Sequence, residues 1–150
     1  MSTITAKDLT KEYPRSPYDE LAGFPWLPRL IDKVRALGAG KIGEYTPFPC
    51  GGDKNWLGLV GIEADAIKAK IDSGASDQEI TEWVKANASA EAAKNIEGFK
   101  QYAVQPAQGE MAGYLAGAVE ELKKARPELD LSKADNFGRL ICIEEGHPLH

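Results

Sequence analysis

The uneven distribution of proline divides this chain into two parts. Six of the nine prolines lie within the first 50 residues. Proline fixes the backbone angle φ and donates no backbone hydrogen bond, so a segment this rich in proline interrupts regular elements repeatedly. We therefore predict an irregular N-terminal segment and regular secondary structure after it. Within that segment, Ser16 and Pro17 indicate the start of a short helix that Gly23 and Pro25 end.

Apolar residues recur at helical spacing along most of the remaining chain. They predict helices over residues 26–37, 53–59, 63–72 and 107–125, with two more that begin at Ser76 and Ser89. Asp53, Ser76 and Ser89 are the predicted N-caps, and Ser76 opens a capping box with Glu79. The apolar run 140–143 fits either a strand or a helix. We predict an all-α fold, a compact bundle of about six helices crossed by the N-terminal segment, with room for one short hairpin.

Length and charge limit the functions open to this chain. Its 150 residues fit a single domain spanning 1–150, with a net charge of -5. An acidic chain is poorly suited to binding nucleic acid, since that affinity depends on Lys and Arg at phosphates. Two cysteines and two histidines form no metal motif, and no membrane span or signal-peptide core is visible. We expect a cytoplasmic protein, monomeric or homodimeric, without cofactor or metal.

The polar face of helix 26–37 is the first candidate site. Arg29, Asp32 and Arg35 follow one another at intervals of three, with Lys33 between them and Arg15 nearby in sequence. Because arginine forms two parallel hydrogen bonds to carboxylates and phosphates, this group could hold an anion. The simpler interpretation is a solvent-exposed helix face with surface ion pairs.

A second group of polar residues follows that helix. Glu44 and Tyr45 are adjacent, and Asp53 comes eight residues after Tyr45. A carboxylate and a phenol could act as acid and base if they were buried together. These residues therefore complete the predicted ligand-binding set and also supply the acid or base of an alternative, enzymatic interpretation.

The two cysteines and the C-terminal polar residues carry weaker signals. Cys50 precedes a helix start, which can activate a thiol, but the simpler interpretation is an ordinary loop cysteine. A nucleophilic cysteine would also need a base, and the histidines are His147 and His150. Cys142 lies in an apolar run and is expected to be buried. Glu144, Glu145 and His147 could contribute to a metal site, although three such residues near a chain end usually form a solvated tail.

Helix 107–125 carries a stripe of small residues. Gly109, Gly113 and Gly117 recur every four residues, beside a second face assigned to the core: Met111, Leu115, Ala118 and Leu122. Each interior glycine destabilises a helix by about 1 kcal/mol relative to alanine. Close approach of another backbone would offset that loss. We expect the second backbone to belong to the same chain, with a homodimer as the alternative. The simpler interpretation is that the glycines merely loosen an exposed face of the helix.

Short motifs occur along residues 9–87. They are Pro-Arg-Ser-Pro at 14–17, Leu-Pro-Arg-Leu-Ile-Asp-Lys-Val-Arg-Ala at 27–36, Gly-Glu-Tyr at 43–45, Asp53, Leu-Gly at 57–58 and Gly-Ile at 61–62, with the capping box at 76–79 and Trp-Val at 83–84. Over this range the chain resembles a family of small bacterial proteins of unknown function. The resemblance implies no activity, cofactor or catalytic residue, only that the polar residues named above lie where the family is recognised.

Two functions are consistent with these observations. The favoured one is a non-enzymatic binding protein that holds a small anionic ligand or an acidic partner surface. The predicted ligand-binding residues are Arg15, Arg29, Asp32, Lys33, Arg35, Glu44, Tyr45 and Asp53. The alternative is an enzyme that acts on a small anionic metabolite, with Glu44, Tyr45 or Asp53 as acid or base. Binding is favoured because the sequence shows no nucleophile–base pair and no metal ligand set.

Overall fold

Helices dominate the structure, as predicted. The computed structural model describes residues 5–149, and His150 and residues 1–4 lie outside that description. Within the described residues there are seven helices and one small antiparallel sheet. The sheet pairs β1 (Glu20–Leu21) with β2 (Phe24–Pro25). The helices are α1 (Leu27–Gly38), α2 (Gly51–Val60), α3 (Ala64–Asp72), α4 (Asp77–Asn87), α5 (Ala92–Ala103), α6 (Glu110–Ala125) and α7 (Phe137–Glu145).

A hairpin occupies the place of the helix predicted to start at Ser16. The Ser16 hydroxyl accepts a hydrogen bond from the backbone N–H of Tyr18, and the backbone N–H of Ser16 donates to Asp19. These local bonds make a turn instead of a helix cap. Ala22 and Gly23 then both adopt positive φ, at 51° and 84°. That backbone joins two antiparallel strands tightly, so the predicted helix is wrong and the optional hairpin is present.

The main hydrophobic core lies among the first five helices. The apolar face of α1 contributes Leu27, Leu30, Ile31 and Val34, all of them fully buried. Trp56 from α2 is also fully buried, and its ring meets that of Phe24 edge to face at 6.2 Å. α1 packs against α3, and α2 packs against α5. The amphipathic pattern of residues 26–37 therefore predicted the core-facing side of α1 correctly.

A smaller apolar cluster joins α6, α7 and the segment between them. Its buried members are Leu115, Ala134 and Leu140. The ambiguous run 140–143 lies within α7, whose N-cap Asn136 accepts a hydrogen bond from the backbone N–H of Arg139 at 2.7 Å. The Asn136 amide also donates to the Ala103 carbonyl at 3.0 Å. One side chain thus starts α7 and ties it to the end of α5.

Of the three predicted N-cap residues, Ser76 is confirmed, whereas Asp53 and Ser89 are wrong. The capping box of Ser76 and Glu79 is confirmed, with both hydrogen bonds present at the start of α4. Asp53 is not the N-cap of α2, because Cys50 takes that position and Asp53 lies three residues later as its capping partner. Ser89 does not cap α5, which begins after Glu91. The Ser89 backbone N–H bonds instead to the Val60 carbonyl at 2.8 Å, which places Ser89 outside the helix.

The glycine stripe of α6 packs against no other element among residues 5–149. A Cβ atom added at Gly113 or Gly117 would meet no atom within 4 Å apart from the adjoining backbone of α6, and Gly109 is the N-cap with a φ of 61°. Close packing against another part of the described chain is therefore wrong. Met111, assigned to the core, is 42% exposed, whereas Leu115 on the same face is buried. Of the four residues assigned to the core face of α6, Leu115 alone is buried, so this face is narrower than its sequence predicted.

Alanine at either open glycine should stabilise the protein. We expect Gly113→Ala and Gly117→Ala each to raise the free energy of unfolding by up to about 1 kcal/mol, because alanine restricts the unfolded chain and meets open space in the helix. Thermal and urea unfolding of each variant would measure the change. Destabilisation of both variants would contradict this expectation and would favour the homodimer alternative, in which a second copy covers the stripe.

Candidate functional site

The polar face of α1 lies in the interior of the protein. Arg29, Asp32 and Lys33 are only 4%, 4% and 3% exposed. The N-terminal segment, the start of α2 and the end of α7 cover them, and each charged group has an oppositely charged partner. Pairing is what makes burial of charge tolerable. The interpretation of this face as a solvent-exposed surface is therefore wrong.

Arg29 forms the most buried ion pair with Glu145 of α7. Two parallel hydrogen bonds join them, from Nη1 to Oε1 at 2.9 Å and from Nη2 to Oε2 at 2.8 Å. Both side chains are about 95% buried, at 5% and 4% exposure. Although burial lowers the pKa of Arg29, its bonds to Glu145 raise that pKa above the ordinary value. Arg29 therefore keeps its charge, and its two bonds to Glu145 fasten α7 to α1.

Tyr45 and His147 complete the surroundings of Glu145. The Tyr45 hydroxyl donates to Oε2 at 2.9 Å, and Nε2 of His147 lies 3.0 Å from Oε1 and 3.0 Å from the Pro14 carbonyl oxygen. Burial, and then the neighbouring carboxylate of Glu145, raise the pKa of Tyr45 well above its ordinary value. Tyr45 is therefore a hydrogen-bond donor here and a poor base. The solvated tail expected at Glu145 and His147 is a packed part of the structure.

A second charged cluster joins the N-terminal segment, α1 and α4. Arg15 donates through its backbone N–H, Nε and Nη2 to Asp32, at 2.8, 3.1 and 3.0 Å. Its Nη1 reaches Asp77 at 2.9 Å, and Arg35 pairs with the same carboxylate at 2.8 Å. Although burial raises the pKa of Asp77, the two arginines hold it below the usual range. Asp77 therefore serves as a shared anion between two cations.

Lys33 and Asp53 form the third cluster, at the start of α2. Their atoms Nζ and Oδ2 are 3.2 Å apart, and Asp53 is fully buried. Asp53 also accepts hydrogen bonds from the Trp26 indole at 2.8 Å and from the Cys50 backbone N–H at 3.0 Å. The ammonium of Lys33 lies 3.1 Å from the sulfur of Cys50. Asp53 thus connects the start of α2 to Lys33 of α1 and to Trp26 in the interior of the protein.

The structure brings most of the predicted residues together, with internal partners. Seven of the eight lie in or beside the buried face of α1, whereas Glu44 is exposed in the loop after it. Sequence reasoning missed the two carboxylates that hold the arginines, Asp77 and Glu145. Asp77 lies within the predicted capping box at 76–79, and Glu145 is among the residues interpreted as a metal site or a solvated tail. No cluster of three candidate metal ligands occurs among residues 5–149.

A groove lies between the C-terminal ends of α1 and α3. Its volume is about 640 Å³, and Arg35, Lys41 and Asp72 are its charged lining residues. Arg35 uses Nη1 for Asp77 and Nη2 for the Ala75 carbonyl at 3.0 Å. Its Nε is buried and has no hydrogen-bond partner among the described residues. A buried donor without an acceptor costs free energy, so the groove is lined by an arginine with one unsatisfied hydrogen-bond donor.

None of the described helices is both long and apolar enough to cross a membrane.

Comparison with known proteins identifies the family of the chain. The family model described as a domain of unknown function (DUF5069) matches residues 11–146. That match continues beyond the motifs of residues 9–87 and includes Glu145. No curated protein matches the chain.

Proposed function

The chain belongs to the DUF5069 family, and from that premise we propose that it is a non-enzymatic binding protein that holds a small anionic ligand. The ligand site is the groove between α1 and α3, beside Arg35 and Lys41. The ligand carries a carboxylate or a phosphate, because these anions match the fork of an arginine side chain.

The observation that carries this proposal is the incomplete hydrogen bonding of Arg35. Two of its three guanidinium nitrogens are occupied, and Nε is buried without a partner. Its side chain remains 13% exposed and lines the groove. An anion that reached Nε from the groove would supply the acceptor that it lacks. The hydrogen bond formed there would relieve the cost of a buried, unpaired donor.

The remaining charges of the groove favour an anion of limited size. Lys41 adds a second cation that has no ion pair among residues 5–149. Asp72 on the opposite side is engaged by Lys68 at 2.6 Å, which offsets its repulsion of an anion. Because Arg35 is paired with Asp77 and Asp72 is paired with Lys68, the charge of Lys41 makes the groove locally positive on an acidic protein.

The other arginines of the segment support this assignment by exclusion. Both terminal nitrogens of Arg29 bond to Glu145, and all three guanidinium nitrogens of Arg15 bond to Asp32 or Asp77. An external anion would have to displace a carboxylate from these nitrogens, which is costly. Of the three arginines, Arg35 is the one whose Nε is buried without a partner among the described residues.

The alternative function, an enzyme with Glu44, Tyr45 or Asp53 as acid or base, has less support. Asp53 is fully buried and holds three donors, so a substrate has no path to its oxygens. The Tyr45 hydroxyl donates a hydrogen bond to Glu145, and the pKa of Tyr45 is raised. Binding is therefore the function that the geometry supports best.

Titration with inorganic phosphate and with succinate tests the proposal. We expect saturable shifts of backbone amide NMR signals around the groove, with roughly millimolar affinity for ligands of this size. Lys41→Ala should weaken binding about threefold to fivefold, since it removes one partly exposed charge. Arg35→Lys keeps the charge but removes Nε, and we expect it to weaken binding about tenfold.

Lys54→Ala is the matched control, because Lys54 is an exposed lysine of α2 away from the groove. It should bind phosphate as the unmodified protein does. Unchanged affinity in both groove variants, or equal weakening in the Lys54 variant, would mean that the anion binds by net charge alone and would contradict the proposal.

A further inference from the structure

A cysteine and a lysine meet at the start of α2. The sulfur of Cys50 is 3.1 Å from Nζ of Lys33, and the lysine side chain is 4% exposed. Cys50 belongs to α2 as its N-cap, whereas Lys33 belongs to the middle of α1. The contact therefore joins α1 to α2 through two residues that are 17 positions apart in sequence. It is separate from the groove and does not depend on the proposed function.

Neighbouring hydrogen bonds hold both groups in this position. Asp53 accepts from Lys33 at 3.2 Å and from the backbone N–H of Cys50 at 3.0 Å, so one carboxylate fixes both residues. The Trp26 indole fixes that carboxylate in turn, at 2.8 Å. Buried lysine ammonium groups are normally paired with carboxylates alone. Here the sulfur is a second acceptor, and Cys50 itself is only partly buried, which leaves it within reach of a small oxidant.

We propose that Cys50 and Lys33 are an oxidation-sensitive pair that peroxide converts into a covalent sulfenamide cross-link between α2 and α1. The class of oxidant is a hydroperoxide, of which hydrogen peroxide is the simplest. The site is one of modification, and its product is a bond between Sγ of Cys50 and Nζ of Lys33.

The reaction proceeds in two balanced steps. The sulfur of Cys50 attacks one peroxide oxygen, the O–O bond breaks, and a thiol plus hydrogen peroxide becomes a sulfenic acid plus water. The Lys33 ammonium then gives one proton to Asp53, and the amine attacks the sulfur. The S–O bond breaks, and the hydroxyl leaves with a second proton of the nitrogen as water. Sulfur is oxidised, peroxide is reduced, and the ion pair of Lys33 and Asp53 becomes a neutral amine derivative and a carboxylic acid.

The second cysteine provides an internal contrast. Cys142 is fully buried, and burial raises the pKa of its thiol. Its polar neighbour is the hydroxyl of Ser16, at 3.5 Å, and not an amine. Cys142 should therefore neither react with dilute peroxide nor form a cross-link. The selectivity between the two cysteines comes from access and from the adjacent lysine.

Mass spectrometry of peroxide-treated protein tests the inference. The cross-linked chain should be about 2 Da lighter than the untreated chain, because two hydrogens are lost and no oxygen is retained. Trypsin should release a joined product of peptides 30–35 and 42–54, with cleavage blocked after Lys33. Dithiothreitol should separate the two peptides again, since a thiol attacks the sulfur and releases the amine.

Two variants separate this reaction from general thiol oxidation. Cys142→Ala should form the cross-link as the unmodified protein does. Lys33→Arg should not form it, and Cys50 should then collect oxygen in steps of about 16 Da. Should the Lys33 variant fail to fold, the peptides of the unmodified protein decide the question. Peptide 42–54 recovered as a free thiol, or oxidised without attachment to peptide 30–35, would overturn the proposal.

Discussion

Replacing Glu145 with alanine should lower the free energy of unfolding by about 3–5 kcal/mol. The substitution leaves the guanidinium of Arg29, which is 4% exposed, without its carboxylate in the interior. It also removes the acceptor of the Tyr45 hydroxyl and a neighbour of His147. Urea unfolding followed by circular dichroism would measure the change. The loss should appear as a lower midpoint, with α7 detaching from α1 before the main core unfolds.

The neighbouring residue supplies the control for this experiment. Glu144 is exposed, so Glu144→Ala should change stability by no more than about 0.5 kcal/mol. The double variant Arg29→Met with Glu145→Leu removes both charges and should recover most of the loss, because the cost lies in the unpaired charge. A loss in Glu145→Ala as small as that in Glu144→Ala would show that the ion pair does not hold α7 in place.

Replacing Asp53 with alanine should destabilise the protein by a similar amount, about 3–5 kcal/mol. Asp53 is fully buried and neutralises Lys33, which is itself 3% exposed. The change also removes the acceptor of the Trp26 indole and the capping partner of the Cys50 backbone. Thermal unfolding monitored by the tryptophan fluorescence would report both the stability and the altered surroundings of Trp26.

Asp65 is the matched control for the helix-start contribution. Like Asp53 it lies in the first turn of its helix, α3, but it is exposed and pairs with no buried cation. Asp65→Ala should therefore remove only the favourable interaction with the helix dipole, about 0.3–1 kcal/mol. Equal losses in the two variants would mean that Asp53 acts merely through the helix end and that its pairing with Lys33 contributes nothing.

The helices could be predicted from sequence because their signals are local. The apolar periodicity of residues 26–37 and the capping box at Ser76 depend on residues within one or two turns, and both are confirmed. The failures occurred where a turn competed with a helix. At Ser16 the side chain and Asp19 stabilise a turn, and the positive φ of Ala22 is not encoded by its residue type.

The character of the polar face of α1 could not be predicted locally. A helix with charged residues on one side normally presents them to water. Here the covering groups come from distant parts of the chain, with Asp77 lying 62 residues from Arg15 and Glu145 lying 116 residues from Arg29. Periodicity contains no information about contacts at that separation. The motifs at 14–17, 27–36 and 43–45 contain the cations of these clusters, and those cations serve mainly internal carboxylates.

The groove could not be predicted from the sequence either. Arg35 belongs to the predicted polar face, but its distinction from Arg15 and Arg29 is geometric, because its Nε alone among their guanidinium nitrogens is buried without a partner. Lys41 was not among the predicted ligand-binding residues. The two cations line one groove because the chain turns at Gly40, where φ is 70°, directly after α1.

The most direct test of this account is the NMR signal of the arginine side-chain Nε–H groups during a titration with inorganic phosphate. The signals of Arg15 and Arg29 should stay in place, because their carboxylate partners hold them. The signal of Arg35 should shift and saturate, because phosphate supplies the acceptor that its Nε lacks. A stationary Arg35 signal, or a displacement of Arg29 from Glu145 by phosphate, would contradict the account.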